Sequence, residues 1–183
     1  MTGQSRKTIH RFRSVPYRVP FFLLFFFLVF SDQITKWLAV RTLRNQSGLS
    51  LISGILELTY LENRGIAWGM FQGKLDFLLI FTLLFFCAMF YIFLRIPSTS
   101  VYIPFTAALT GMTAGAAGNY IDRVFRGYVI DFIFISMIDF PVFNIADICV
   151  VLSGIYLVFL VCFRYQDQDF YFLRLRKGGH MDR

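Results

Sequence analysis

The chain has 183 residues, of which 57% are hydrophobic and 24 are phenylalanine, against 16% charged residues and a net charge of +7. Ordinary soluble domains stay near roughly 45–50% apolar, and a soluble core of this size cannot hide the excess, so the composition excludes a soluble globular protein and indicates an integral membrane protein. Cys87, Cys149 and Cys162 all lie in apolar runs without CxxC or Cys/His spacing, and His10 and His180 stand near the chain ends, which excludes a disulfide framework, a zinc site and a histidine-centred catalyst.

Residues 1–16 form a basic tail with Arg6, Lys7, Arg11 and Arg13. A first membrane span is expected over about 17–40, opening near "FFLLFFFLVF", since a spanning helix needs about 20 mostly apolar residues. No small-x-small cleavage site follows it, so it reads as a retained helix rather than a signal peptide. Asp32 and Lys36 stand four apart on one face near its outer end. They suit either a self-neutralising ion pair or the polar wall of an interior site. The next stretch, "LSLISGILELTYLEN", has the partial alternation of a short strand. Spans over about 75–96 and 101–122 follow, joined by the short turn "RIPSTS".

The third span carries Gly111, Gly115 and Gly118, small residues that allow close helix packing in lipid. Its outer end delivers Asn119, Asp122 and Arg123, and Asp122 is within helical reach of Arg126 as well. "GYVIDFIFIS" reads as another strand, with Asp131 interrupting an apolar run where a charge needs a partner or water. Asn144 and Asp147, three apart, suit the cap of a fourth span over about 144–163. The remaining residues, 164–183, form a second basic tail.

The lysines and arginines at both ends place the termini in the cytoplasm. The loops at about 41–74 and 123–143 then face outward, and their strands pair into a cap. The expected fold is therefore an all-α integral membrane protein, one domain over 1–183, with four transmembrane helices and a small extracytoplasmic β-rich cap. The basic charge reflects tails beside anionic lipid, not nucleic-acid binding.

If the strand brings Asp131 opposite Asp147, the two carboxylates share a proton. Such a pair suits peptide hydrolysis: the ionised member takes a proton from water and the protonated one polarises the carbonyl. Spacing alone does not select this pair over Asp122 or Asp139. A small proton or cation transporter using Asp32, Asp122 and Asp147 as relay groups is an alternative, as is a non-catalytic membrane scaffold.

Four blocks in order, "DQITK" at 32–36, "ENRGIAWGM" at 62–70, "GNYIDRVFRGYVIDFI" at 118–133 and "FNIAD" at 143–147, resemble the bacterial lipoprotein signal peptidases, or signal peptidase II. In the second block Asn63, Gly65 and Ala67 stand at the family positions. The resemblance implies an intramembrane aspartic endopeptidase of the inner membrane that cleaves prolipoproteins just before a diacylglyceryl-modified cysteine. It places the catalytic aspartates on Asp131 and Asp147. It places site-lining residues on Asp32, Lys36, Asn63, Gly65, Asn119, Arg123 and Asn144, with Asp122 in support. It implies no metal or cofactor, a monomer, and membrane lipid and diacylated prolipoproteins as partners, with the site at the outer face. Arg64, Ile66 and the "YVID" run depart from the common pattern without touching the two aspartates.

Overall fold

The computed structural model describes residues 18–65 and 70–173. Ala67 and both basic tails apart from residues 164–173 lie outside the described residues. Four long helices dominate: α1 (Arg18–Leu43), α2 (Leu75–Arg95), α3 (Ile103–Arg126) and α4 (Ile145–Phe163). Helix α1 continues past Val40 and α3 past Asp122, to Leu43 and Arg126.

Helices α1, α2 and α4 are long and apolar enough to cross a membrane. Their surfaces are what lipid requires: Phe22, Phe26 and Phe30 on α1 and Leu152, Ile155 and Phe159 on α4 are all exposed. Helix α3, expected as the third of the four spans, has the length, 24 residues, but much of it is glycine, alanine and threonine. The reason lies in its position. It packs against all three other helices and contributes ten buried residues, from Phe105 to Asp122. A central helix needs close approach more than solubility in hydrocarbon.

That approach is visible at the glycines. A Cβ on Gly115 would run into the Ala146 carbonyl oxygen and the Val150 side chain of α4. A Cβ on Gly118 would strike the Asp32 carboxylate of α1. The stripe on α3 is therefore an interface with two neighbours at once.

At one end of the bundle sits a three-stranded antiparallel sheet in the order β1 (Leu49–Ile52), β2 (Leu56–Asn63), β3 (Val129–Phe134). The first strand-like stretch thus holds two strands. The chain reverses at Ser53–Gly54, where Gly54 takes φ +69° and the Ile55 amide donates to the Ile52 carbonyl at 2.9 Å. Ala39 and Leu43 of α1 pack under the sheet against Ile130 and Phe132. At the opposite end Tyr102, Phe105, Leu160, Tyr165 and Phe172 form a second apolar cluster. A 3-10 segment, Asp167–Leu173, closes it, with the Tyr102 hydroxyl donating to the Asp169 carbonyl and the Tyr165 hydroxyl to the Val101 carbonyl, each at 2.7 Å.

Two short connections aim the sheet at the helix ends. Gly127, at φ +79°, ends α3 with its amide on the Arg123 carbonyl, and β3 begins two residues later. After β3 the chain doubles back, and Phe143 pairs with Ile133 through bonds of 2.8 and 3.0 Å. The next residue, Asn144, is the cap of α4. That return brings the start of α4 beside Asp131.

Candidate active site

Asn144 joins the two aspartates. Its side-chain oxygen accepts from the Asp147 amide at 2.9 Å, and the Asp147 carboxylate accepts from the Asn144 amide at 3.1 Å, a complete capping box. Its side-chain nitrogen donates to Asp131 Oδ1 at 2.6 Å. The expected cap is thus present, and the residue that forms it also holds the other carboxylate.

Two more asparagines complete the set. Asn63 Nδ2 donates to Asp131 Oδ2 at 2.8 Å, and its oxygen accepts from the Gly65 amide at 2.9 Å, which fixes the direction of the amide. Strand register places it there: Asn63 pairs with Val129, two residues from Asp131 on the same face of β3. Asn119 Nδ2 donates to Asp147 Oδ1 at 2.7 Å, and Asn119 Oδ1 accepts from Lys36 Nζ at 2.9 Å. Each aspartate oxygen therefore has a neutral amide donor.

Asp131 and Asp147 open on one cavity of about 750 Å³, whose wall also includes Asn63, Asn119 and Arg123. Its lower wall, with Leu78 and Phe81 of α2 and Val150 and Val151 of α4, is apolar. A second cavity, about 330 Å³, lies between α1, α2 and α3 and is lined by phenylalanines with no acidic group. Only the larger one holds groups able to move a proton.

Arg123 reaches from α3 across this cavity to the Gly65 carbonyl at 2.9 Å, and its charge interacts with those of Asp147, Asp131 and Asp122. Gly65 is buried, and a Cβ there would come within 2.5 Å of the Met70 carbonyl oxygen. Burial pushes the Asp131 carboxyl up to about 7, and the Asp147 charge adds to the rise. The bonds from Asn63 and Asn144 and the Lys36 charge oppose it.

Asp32, Lys36, Asp122 and Asn144 are all at most 1% exposed. They stand behind the cavity wall rather than on it. Lys36 Nζ lies 2.9 Å from Asp32 and 3.0 Å from Asp122, and Asp122 also pairs with Arg126. The Asp32–Lys36 pair is the ion pair that one sequence reading expected; the other expected it on the wall of an interior site, whereas it lies behind the cavity wall in a larger buried network. Gln33 belongs to that network and was not singled out in the sequence; it donates to the Gly118 carbonyl at 3.1 Å. Its position inside "DQITK", one residue from Asp32, was the available signal.

Apolar helices around a buried, amide-held carboxylate pair define a membrane protein with an acidic cavity. Comparison with known proteins gives the class a family. The family described as Signal peptidase (SPase) II matches residues 24–163. The lipoprotein signal peptidase of Caldanaerobacter subterraneus subsp. tengcongensis is 41% identical over 139 residues, covering 75% of this chain and 92% of that protein. That of Clostridium novyi is 38% identical over 143 residues, covering 76% and 95%. A bacterial membrane enzyme solved by the in meso method at 1.9 Å superposes with a TM-score of 0.73 at 32% identity, covering 81% of this chain and 96% of that one. The chain belongs to the signal peptidase II family, and it is a multi-pass bacterial membrane protein.

Proposed function

We propose that this protein is an intramembrane aspartic endopeptidase that removes signal peptides from prolipoproteins, cutting before a cysteine that carries a diacylglyceryl group. Family membership makes it a peptidase acting on prolipoproteins and does not favour a transporter or a scaffold. The observation that carries the catalytic assignment is the meeting of Asp131 and Asp147 on one cavity wall.

The division of labour follows from their surroundings. Asp131, buried and beside another carboxylate, holds the proton and donates it toward the scissile carbonyl. Asp147, at a helix N-terminus and with an amide on each oxygen, is the ionised member that takes a proton from water. Water adds to the carbonyl carbon and gives one proton to Asp147 while the Asp131 proton moves to the carbonyl oxygen, forming a gem-diol. The Asp147 proton then passes to the amide nitrogen, the C–N bond breaks, and a gem-diol hydroxyl returns its proton to Asp131 as the new carboxyl group forms. The pair ends as it began, with one proton between two carboxylates. Arg123 stands where it can meet a developing negative charge. The cavity runs from polar at the sheet to apolar between α2 and α4, which suits a substrate that is half peptide and half lipid.

In this reading all four long helices of the single 1–183 domain span the inner membrane, with both termini in the cytoplasm and the sheet at the outer face. The basic residues at the chain ends support that orientation. The protein acts as a monomer and needs no metal. Cleavage of a diacylated prolipoprotein by the purified protein in detergent is the direct test. Asp131→Asn and Asp147→Asn each abolish it while leaving the helical content intact, and a substrate without the lipid is cut poorly. Normal cleavage by either variant refutes the assignment.

A further inference from the structure

Behind the catalytic pair stands a second pair of carboxylates. Asp32 Oδ1 accepts from the Ala146 amide at 2.9 Å, and Asp122 Oδ2 accepts from the Ile130 amide at 3.2 Å. Ala146 immediately precedes Asp147, and Ile130 immediately precedes Asp131. Each buried carboxylate thus holds the backbone one residue ahead of a catalytic aspartate. Lys36 Nζ connects the two, at 2.9 Å from Asp32 and 3.0 Å from Asp122. Its remaining contact is Asn119 Oδ1 at 2.9 Å, and the other end of that amide holds Asp147.

An ammonium group has three donors, and here each has a partner fixed to the site. Lys36 is fully buried and absent from the cavity wall, so it has no free donor and no path to a substrate. A merely self-neutralising pair needs only Asp32. The recruitment of Asp122 from α3 and of Asn119 exceeds that need.

We infer that Lys36, with Asp32 and Asp122, is a brace that sets the separation and relative height of Asp131 and Asp147 through the Ile130 and Ala146 amides and the Asn119 side chain. These three are positioning residues and make no substrate contact. The inference rests on the assignment of Asp131 and Asp147 as the catalytic pair. Its chemistry is geometric: α1 supplies one cation, and the strand and the helix that carry the acids are registered against it. Displacing a reacting group by about 1 Å costs on the order of 100-fold in rate.

Kinetics on the full-length protein in detergent with a diacylated prolipoprotein separate the possibilities. Lys36→Met keeps the stem and removes the donors; kcat falls on the order of 100-fold with KM within about threefold. Asp131 faces Asp147 on α4, Arg123 on α3 and Lys36 on α1, with Glu62 and Asp139 on the same cavity wall. Loss of the Lys36 charge therefore moves the alkaline limb of the kcat profile to higher pH. Asp32→Asn is the milder variant. Its one oxygen cannot answer both Ala146 and Lys36, so kcat falls about tenfold with KM unchanged.

The double variant Asp32→Asn/Lys36→Met removes a charge of each sign. Thermal stability recovers relative to Lys36→Met while kcat stays low. Recovery of kcat together with stability reduces the brace to a self-neutralising pair and overturns the inference, as does a loss carried by KM in any of the three variants. Inactive Asp131→Asn and Asp147→Asn beside a fully active double variant remove the brace alone; active aspartate variants remove the catalytic assignment beneath it.

Discussion

Asp131 gives the most quantitative expectation. An ordinary aspartate titrates near 3.8, and this one is pushed up to about 7. Between those values the folded protein holds a proton that the unfolded chain has released. The folded state therefore binds more protons across this window, and unfolding becomes easier as pH rises through it. Each pH unit in the window changes the balance by about 1.4 kcal/mol, or about 4 kcal/mol in all. Asp131→Asn removes the titration. Its own cost is constant with pH, because the new amide nitrogen faces a donor from Asn63 or Asn144 at every pH. Unfolding in detergent micelles, followed by circular dichroism from pH 4 to pH 8, should show wild type losing about 4 kcal/mol relative to the variant, roughly 8–16 °C in Tm for a chain of this length. The loss is complete just above pH 7. Stability curves that stay parallel over the whole range would mean that Asp131 is neither desolvated nor close enough to Asp147 to feel it.

Asn144→Ala removes the α4 cap and a donor to Asp131 together, and should cost about 3 kcal/mol in unfolding assays and abolish cleavage. Gly115→Ala drives a methyl into the Ala146 carbonyl oxygen and should destabilise the bundle by about 2 kcal/mol, with activity lost because Asp147 follows Ala146. Tyr165→Phe removes one bond to the Val101 carbonyl at the far end of the bundle; it should cost about 1 kcal/mol in thermal unfolding and leave kcat unchanged.

The sequence made the helices legible because a lipid-facing helix announces itself by length and apolarity, as α2 does from Leu75 to Arg95. The α4 cap was legible too, since Asn144 and Asp147 carry a local signal at fixed spacing. The partner of Asp131 was not. Nothing in local spacing selects Asp147 over Asp122 or Asp139; the choice is made by the return of the chain at Phe143 onto β3, a contact that depends on the whole cap. The hairpin was half legible: Ser53–Gly54 is a turn signal, but β-branched residues on both sides of it read as one strand. The second role of Asp32 and Asp122, holding backbone amides 114 and 8 residues away, leaves no trace in a local pattern.

The contacts that hold Asp131 and Asp147 come from both halves of the chain, beginning with Lys36 and Asn63 and ending with Asn144. A ribosome delivers them in that order. Lys36 and its partners Asp122 and Asn119, and Asn63 and its partner Asp131, all precede α4; Asn144 and Asp147 arrive only with it. The spacing of the two acids is therefore a joint product of α4 and the segments made before it, and neither part sets it alone.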